Sequence, residues 1–256
     1  MIKSTRIKRM NSNSLLPYID YEAFKNNPKI IIGYSDVTAI LLAIYEQTGI
    51  STYYGPALVA SFGELPPFVD ATYEYFKEII MDEIKIPYVF EIPQYWTDEY
   101  VNWETQDRSK EERKNKWITI CEGIARGRVI GGNLNTMQGI WSSKYMPEIK
   151  EGDILFIEDS LKDAAAIERS FSFLKVNGVF DRISGLILGK HELFDDLNTG
   201  RKPYEILLEV LGNKKLPFIA DFDCCHTHPM FTLPIGCEIE LDATNRKVSI
   251  IEEWRL

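Results

Sequence analysis

Ser35 is the first residue of this chain with a claim to chemistry, because of where the pattern puts it. It lies in Lys29-Ile30-Ile31-Ile32-Gly33-Tyr34-Ser35-Asp36-Val37-Thr38. A short apolar run ending at a small residue reads as an interior parallel strand, and Val37 to Gln47 then shows helical apolar spacing. A serine on such a strand-to-helix turn has its hydroxyl exposed at the carboxyl end of a sheet. The amides of the following helix start then face the oxyanion that forms when the serine attacks a carbonyl. Asp36 supplies the nearest such amide. The usual elbow is Gly-x-Ser-x-Gly, and Val37 stands here where the second glycine would be. A helix-capping serine with Asp36 in the first turn fits the same local pattern.

A serine nucleophile needs a base and a carboxylate that fixes the base's tautomer. The chain has three histidines, His191, His226 and His228. The last two sit in Asp223-Cys224-Cys225-His226-Thr227-His228-Pro229. Glu158 closes the apolar segment Ile154-Leu155-Phe156-Ile157, where a strand end can hold a carboxylate rigidly, although Asp159 and Ser160 beside it are better placed to cap a helix. Cys224, Cys225, His226, His228 and Cys237 also invite a metal reading. Adjacent cysteines do not easily point at one ion, and zinc sites favour Cys-x₂₋₄-Cys spacing. Buried structural cysteines and no metal are the expectation.

The elements that must carry these residues divide the chain. Residues 1–87 read as α/β material. A loop or helix spans Leu15 to Phe24, a strand Ile30 to Ile32, a helix Val37 to Thr48, a strand Thr52 to Tyr54 and a long helix Pro67 to Met81. Residues 88–118, rich in Trp, Tyr, Pro and mixed charge, form a long connection of the kind that is usually a functional loop or a linker. Residues 119–256 are dominated by short strand-like segments. These are Arg128–Ile130 before Gly131-Gly132, Ile154–Ile157, Leu186–Leu188 and Phe218–Phe222, then a closing hairpin of Glu238–Leu241 and Lys247–Ile251. Ala164 to Asn177 has helical spacing.

Composition narrows the partners. The 256 residues suffice for one large domain or two modest ones, and 45% apolar content is enough for real cores. A formal charge of −9 argues against a nucleic-acid backbone as partner. The basic run Lys3 to Arg9 is short, and Lys110 to Lys116 mixes both signs. No apolar run approaches the ~20 residues that span a bilayer. The N-terminus lacks the apolar stretch of a signal peptide. Four cysteines without disulfide-framework spacing complete the expectation of a soluble, cytoplasmic protein.

Three ordered stretches carry a resemblance. They are NSNSLLPYIDYEAFKNNPKIIIGYSDVTAILLAIYEQTGISTYYGPAL, then GIARGRVIGGNLNTMQGI with YMPEIKEGDILFIEDS, then HTHPMFTLPIGCEIELD. Together they resemble the LD-carboxypeptidase family of serine peptidases, and within it the microcin C immunity branch. The resemblance implies a parallel α/β N-terminal domain bearing the nucleophile and a β-rich C-terminal domain bringing the acid and base. The Ser-Glu-His triad falls on Ser35, Glu158 and His226. His228, where family members often carry Asp, becomes a neighbour of the base. The implied reaction cleaves an amide next to a free carboxylate, in a peptidyl- or aminoacyl-nucleotide. Immunity-type members hold the nucleobase against a tryptophan of the connecting loop, a role that falls on Trp103, with Trp96 second. Asn135 in Gly132-Asn133-Leu134-Asn135, and Lys162 one helical turn beyond Glu158, are candidates to bind the substrate's acidic group. No cofactor is needed, because the triad generates its own nucleophile.

The N-terminus departs from that pattern. Family members reach a Gly-Gly pair of the oxyanion loop just before the counterpart of Asn11, and here Lys8-Arg9 stand in its place, after a start that reads as truncated. The expectation is a homodimer covering an exposed sheet edge, with slowed catalysis. The alternatives are a carboxypeptidase acting on peptidoglycan peptides and a catalytically degenerate binding or dimerisation module.

Overall fold

The computed structural model describes residues 11–83 and 85–255. A 3₁₀ turn, Ser12–Tyr18, leads into α1 (Tyr21–Asn26), β1 (Ile32–Gly33), a second 3₁₀ turn (Ser35–Val37), α2 (Thr38–Thr48), β2 (Thr52–Tyr54) and α3 (Phe68–Ile80). The connecting region holds β3 (Tyr88–Val89), β4 (Tyr95–Trp96) and β5 (Arg113–Lys114). Then come β6 (Ile118–Cys121), β7 (Ile124–Asn133), α4 (Leu134–Gln138), β8 (Ile154–Glu158), α5 (Ala164–Val176), α6 (Val179–Arg182) and β9 (Gly185–Gly189). The chain closes with α7 (Pro203–Leu211), β10 (Phe218–Phe222), β11 (Leu233–Ile235), β12 (Glu238–Asp242) and β13 (Lys247–Ile250).

Two sheets position the site. The larger runs β3-β13-β12-β7-β8-β9-β10-β6, with β7 to β10 parallel and antiparallel strands on both flanks. The parallel centre follows from sequence: Ile154 to Ile157 and Leu186 to Leu188 are apolar without alternation, and all of these side chains are buried. The smaller sheet runs β1-β2-β11. Its third strand comes from the C-terminal part of the chain, with Leu233 opposite Tyr54 and Ile235 opposite Thr52. Pro234 is compatible with that position because β11 is an edge strand with no partner on its other side among the described residues. The architecture is the expected mixture of parallel α/β and antiparallel strands.

Two local expectations need correcting. The strand before Ser35 is Ile32–Gly33, not Ile30–Ile32, and among the described residues it pairs only with β2. Among the described residues it is therefore an edge strand, and Ile30 is 52% exposed. The 88–118 connection carries structure of its own. Its β4–β5 ribbon is braced by Arg113–Asp98 and Arg108–Glu99, and a buried Lys110–Glu64 ion pair at 2.5 Å docks it onto the segment after β2. Lys162 is not on a helical turn. It lies in the loop between β8 and α5, after Leu161 at φ 55°, where a left-handed residue breaks any helical continuation from Glu158. Lys8-Arg9 lie outside the described residues.

Close approach of the two sheets requires glycine. A Cβ on Gly132 would stand 3.1 Å from Tyr54 Cε2 of the small sheet and 2.6 Å from Thr38 Cγ2 of α2. Tyr54 of the small sheet thereby packs edge-on against Phe156 of the large one, with ring centroids 5.4 Å apart.

Candidate active site

Ser35 sits on the turn between β1 and α2 at φ 60°, a left-handed conformation that a residue with a side chain rarely adopts. Its carbonyl accepts a hydrogen bond from Thr38 Oγ1 at 2.6 Å, and Thr38 Oγ1 in turn accepts from the Asn133 N–H. Its own N–H donates to Tyr54 Oη at 3.2 Å. The next amide along the turn is that of Asp36, the second residue of the 3₁₀ turn. The Asp36 carboxylate accepts from the Asn11 N–H, the Ser12 N–H and Ser12 Oγ, at 3.1, 2.9 and 2.6 Å, so it fixes the segment entering the site.

Glu158 ends β8 and is fully buried. Its Oε1 accepts from Tyr54 Oη at 2.6 Å and from Asn133 Nδ2 at 3.0 Å, Asn133 being its register partner on β7. Its Oε2 faces His226 Nδ1 at 2.7 Å. With Nδ1 committed to the carboxylate, Nε2 is the nitrogen left for proton transfer. The Tyr34 ring, next to Ser35 in the chain, meets the His226 ring edge-on with centroids 4.8 Å apart. Tyr54 Oη thus links the Ser35 amide to the carboxylate that faces His226.

The charges follow from these contacts. Burial alone pushes the Glu158 pKa up, but His226 together with the Tyr54 and Asn133 donors outweighs it, and the net direction is down. Burial pulls the His226 pKa down, and the adjacent Glu158 carboxylate outweighs it, so the net direction is up. A pair shifted in these directions holds an imidazolium well. Neither other histidine resembles it. His191 Nδ1 contacts the Gly189 carbonyl, and burial lowers its pKa to about 4. His228 Nε2 is 3.7 Å from Glu64, and burial with nearby Lys110 lowers its pKa to about 4.

The remaining predicted residues surround this group. Asn135 lies in α4, whose N-cap is Asn133, and its N–H donates to Asp159 Oδ2 at 3.2 Å. Lys162 is close enough to Asp159 to lower the latter's pKa, although burial and then Glu158 dominate and raise it to about 6. Trp103 stands in a turn and is 56% exposed. The ring of Trp96, by contrast, already carries Lys190 Nζ at 5.3 Å and the Arg113 guanidinium at 5.6 Å. All four cysteines are free, and Cys224, Cys225 and Cys237 are buried.

Sequence reasoning misses Tyr54, Asn133, Asp159 as a site residue and the carboxylate of Asp36. A polar or aromatic residue closing an apolar strand just before a glycine or a helix start is the available signal, in Tyr53-Tyr54-Gly55 and in Gly132-Asn133.

A serine on a strand-to-helix turn, linked through the Tyr54 hydroxyl to a buried glutamate–histidine pair where two sheets meet, is compatible with a serine peptidase. The chain belongs to the LD-carboxypeptidase family of serine peptidases: the family's N-terminal domain matches residues 10–55 and its C-terminal domain residues 126–241. Among individual relatives, it is 55% identical over 246 residues to the Microcin C7 self-immunity protein MccF of Escherichia coli, covering 95% of this chain and 72% of that one. It is 57% identical over 244 residues to a carboxypeptidase-family protein of Vibrio cholerae serotype O1, covering 95% and 73%. The structure of wild-type MccF in the apo state superposes with a TM-score of 0.93 at 54% identity, over 96% of this chain and 74% of that one. MccF has also been solved in complex with glutamyl sulfamoyl guanosine and with aspartyl sulfamoyl adenosine. No helix among the described residues is long and apolar enough to cross a membrane.

Proposed function

We propose that this serine peptidase hydrolyses the amide of aminoacyl-nucleotides of the microcin C type, using Ser35, His226 and Glu158 as its triad. The observation that carries the reading is the buried Glu158 carboxylate, which accepts from His226 Nδ1 on one oxygen and connects through Tyr54 to the Ser35 amide on the other. Ser35 Oγ bonds to the scissile carbonyl carbon while its proton passes to His226 Nε2. The oxyanion is met by the Asp36 N–H. His226 then gives its proton to the leaving nitrogen as the C–N bond breaks, and a water molecule repeats the sequence to release the acid.

Asn135 and Lys162 hold the acidic group of the substrate, and Trp103 stacks on its base. MccF, solved with acidic aminoacyl sulfamoyl nucleosides, supports the substrate class. Its active-site variant replaces a serine, an asparagine and a lysine by alanine, the residue types of Ser35, Asn135 and Lys162. A further MccF variant, replacing a tryptophan by phenylalanine, was solved with adenosine monophosphate. A peptidoglycan peptide offers no flat base to an exposed tryptophan. The assembly proposed is a homodimer.

The test is hydrolysis of aspartyl sulfamoyl adenosine, followed by chromatography of the released aspartate. Ser35→Ala and His226→Ala are each expected to lower turnover by about 10⁴-fold or more, with similar losses because triad members act as a unit. Turnover retained in Ser35→Ala, or a larger loss in His228→Ala than in His226→Ala, overturns the assignment.

A further inference from the structure

The least favourable backbone conformation in the site belongs to its nucleophile. Ser35 at φ 60° is held only as long as its surroundings over-determine it. The Thr38 hydroxyl fixes its carbonyl. What fixes its N–H is a side chain 19 residues away, Tyr54 Oη, at 3.2 Å.

A phenolic hydroxyl has one hydrogen to give. Since the Ser35 N–H can only donate, Tyr54 must accept there and direct its own hydrogen elsewhere. It directs it to Glu158 Oε1 at 2.6 Å. The ring that carries the hydroxyl is fully buried, packed on Phe156 and accommodated by the missing Cβ of Gly132, whose position lies 3.1 Å from Tyr54 Cε2. One oxygen atom thus joins the nucleophile's backbone to the carboxylate opposite the base. Burial, with the Glu158 charge beside it, raises the Tyr54 pKa well above its ordinary value, so the hydrogen stays in place.

We infer that Tyr54 is a positioning residue that locks the Ser35 turn to the Glu158–His226 pair and shares the Glu158 charge with the imidazole. This rests on the triad reading above and adds what sets its geometry and its pH response. Because Tyr54 occupies the Ser35 N–H, that amide is withdrawn from the oxyanion, leaving the Asp36 N–H as donor. Removing the hydroxyl frees the turn and leaves the half-buried Ser35 amide without its partner. It also returns electron density on Glu158 to the side facing His226, which favours the imidazolium and raises the pH at which neutral base becomes available.

Tyr54→Phe keeps the ring and removes only this atom. The measurements are steady-state hydrolysis of aspartyl sulfamoyl adenosine across pH, the rate of Ser35 labelling by a fluorophosphonate, and the melting temperature. The expected result is a kcat lower by ~10–100-fold, the range of a displaced catalytic group, with KM changed less than ~3-fold. The acid limb of kcat/KM should move to higher pH, and labelling should be slower even above that limb. Asn133→Ser removes the other donor to Glu158 Oε1 while keeping a residue that caps α4. It should move the limb in the same direction, and above that limb slow Ser35 labelling less than Tyr54→Phe does.

An unmoved limb, with activity following a lowered melting temperature, assigns Tyr54 to packing and overturns the inference. Wild-type kinetics in Tyr54→Phe overturn it as well. If Ser35→Ala is inactive while Tyr54→Phe is not impaired, the triad reading survives and only the role of Tyr54 falls.

Discussion

Replacing Glu158 by glutamine removes one charge and almost no volume, and the structure dictates which way the new amide must turn. Three donors converge on the carboxylate: Tyr54 and Asn133 at Oε1 and His226 at Oε2. Glutamine has only one accepting oxygen. Turned toward Tyr54 and Asn133, it satisfies two donors and presents its NH₂ to His226 Nδ1. The imidazole proton is then forced to Nε2, the nitrogen that must accept from Ser35. Turned the other way, it sets donor against donor at Asn133, and a buried polar group without a partner costs ~1–3 kcal/mol. Two donors outweigh one, so the wrong tautomer dominates.

Choosing the correct tautomer at ~1–3 kcal/mol and losing a charge-assisted hydrogen bond of ~1.5–3 kcal/mol together approach about 4–5 kcal/mol, or about 10³–10⁴ in kcat. Glu158→Gln should show that loss in aspartyl sulfamoyl adenosine hydrolysis while the protein remains folded.

Its pH dependence has two opposite signs. The His226 pKa is raised above 6.5, its ordinary value, through the Glu158 charge that overcomes burial. The base is neutral only above the raised pKa, so wild-type kcat/KM should climb through an acid limb above pH 6.5, and in Glu158→Gln that limb should drop. For stability, the His226 contribution is complete below 6.5 and is lost as pH rises through the folded pKa. The Glu158 pKa lies below 4.5, so its contribution is complete above 4.5 and is lost as pH falls through the folded pKa. Glu158→Gln should therefore destabilise more at about pH 5.5 than at about pH 9. A loss of activity below ~30-fold, well short of the tautomer-driven range, or an acid limb that does not move, refutes the reasoning.

Trp103→Ala should weaken binding of aminoacyl-nucleotides by ~1–3 kcal/mol, the worth of one stacked base, and leave short acidic peptides nearly untouched; an equal loss on both substrates, read from paired kcat/KM values, would make Trp103 a packing residue. Light scattering should give twice the 29.5 kDa chain mass, because β1 presents a free edge among the described residues; a stable monomer at micromolar concentration would contradict the homodimer.

Sequence pattern reaches some of this molecule and stops at a physical boundary. Ser35, Glu158 and His226 each follow an apolar strand, and strand ends are visible because hydrophobic runs are. The sheet to which a strand belongs is not written locally. Leu233–Ile235 gives no sign that it will cross over to pair with Thr52–Tyr54, and Pro234 argues against strand assignment unless the edge position is known. Pro203–Leu211 is left unassigned by the sequence analysis, although a proline in its first turn, Glu205 three residues after Lys202 and apolar residues spaced for a buried face are helix signals. Lys162 falls elsewhere than expected because a left-handed Leu161 is set by tertiary contacts, its N–H bonding to the Glu192 carbonyl across the loop. The Tyr54 hydroxyl and the Asp36 carboxylate act on partners 104 and 25 residues away, respectively. Such pairings arise only once the two sheets have met.

The crossing strand also explains how a histidine in a loop can be placed to within a hydrogen bond. His226 lies between β10 of the large sheet and β11 of the small one, so the loop is anchored in both. Its N-terminal anchor is Asp223, fully buried, which accepts from Trp117 Nε1 and Asn115 Nδ2 and pairs with Lys190 at 2.5 Å. The Phe231 N–H closes the loop onto the Asp223 carbonyl at 2.8 Å. Cys224 Sγ lies 3.5 Å from the carbonyl oxygen of Tyr54, the residue that holds both Ser35 and Glu158. The far end of the loop moves with β2, the strand that carries Tyr54, because β2 and β11 are hydrogen-bonded neighbours, while its near end is held by the large sheet. The glutamate alone belongs wholly to the large sheet, and Tyr54 and His226 both hold it across the seam. Relative motion of the sheets would thus be resisted at the one carboxylate on which the proposed chemistry depends.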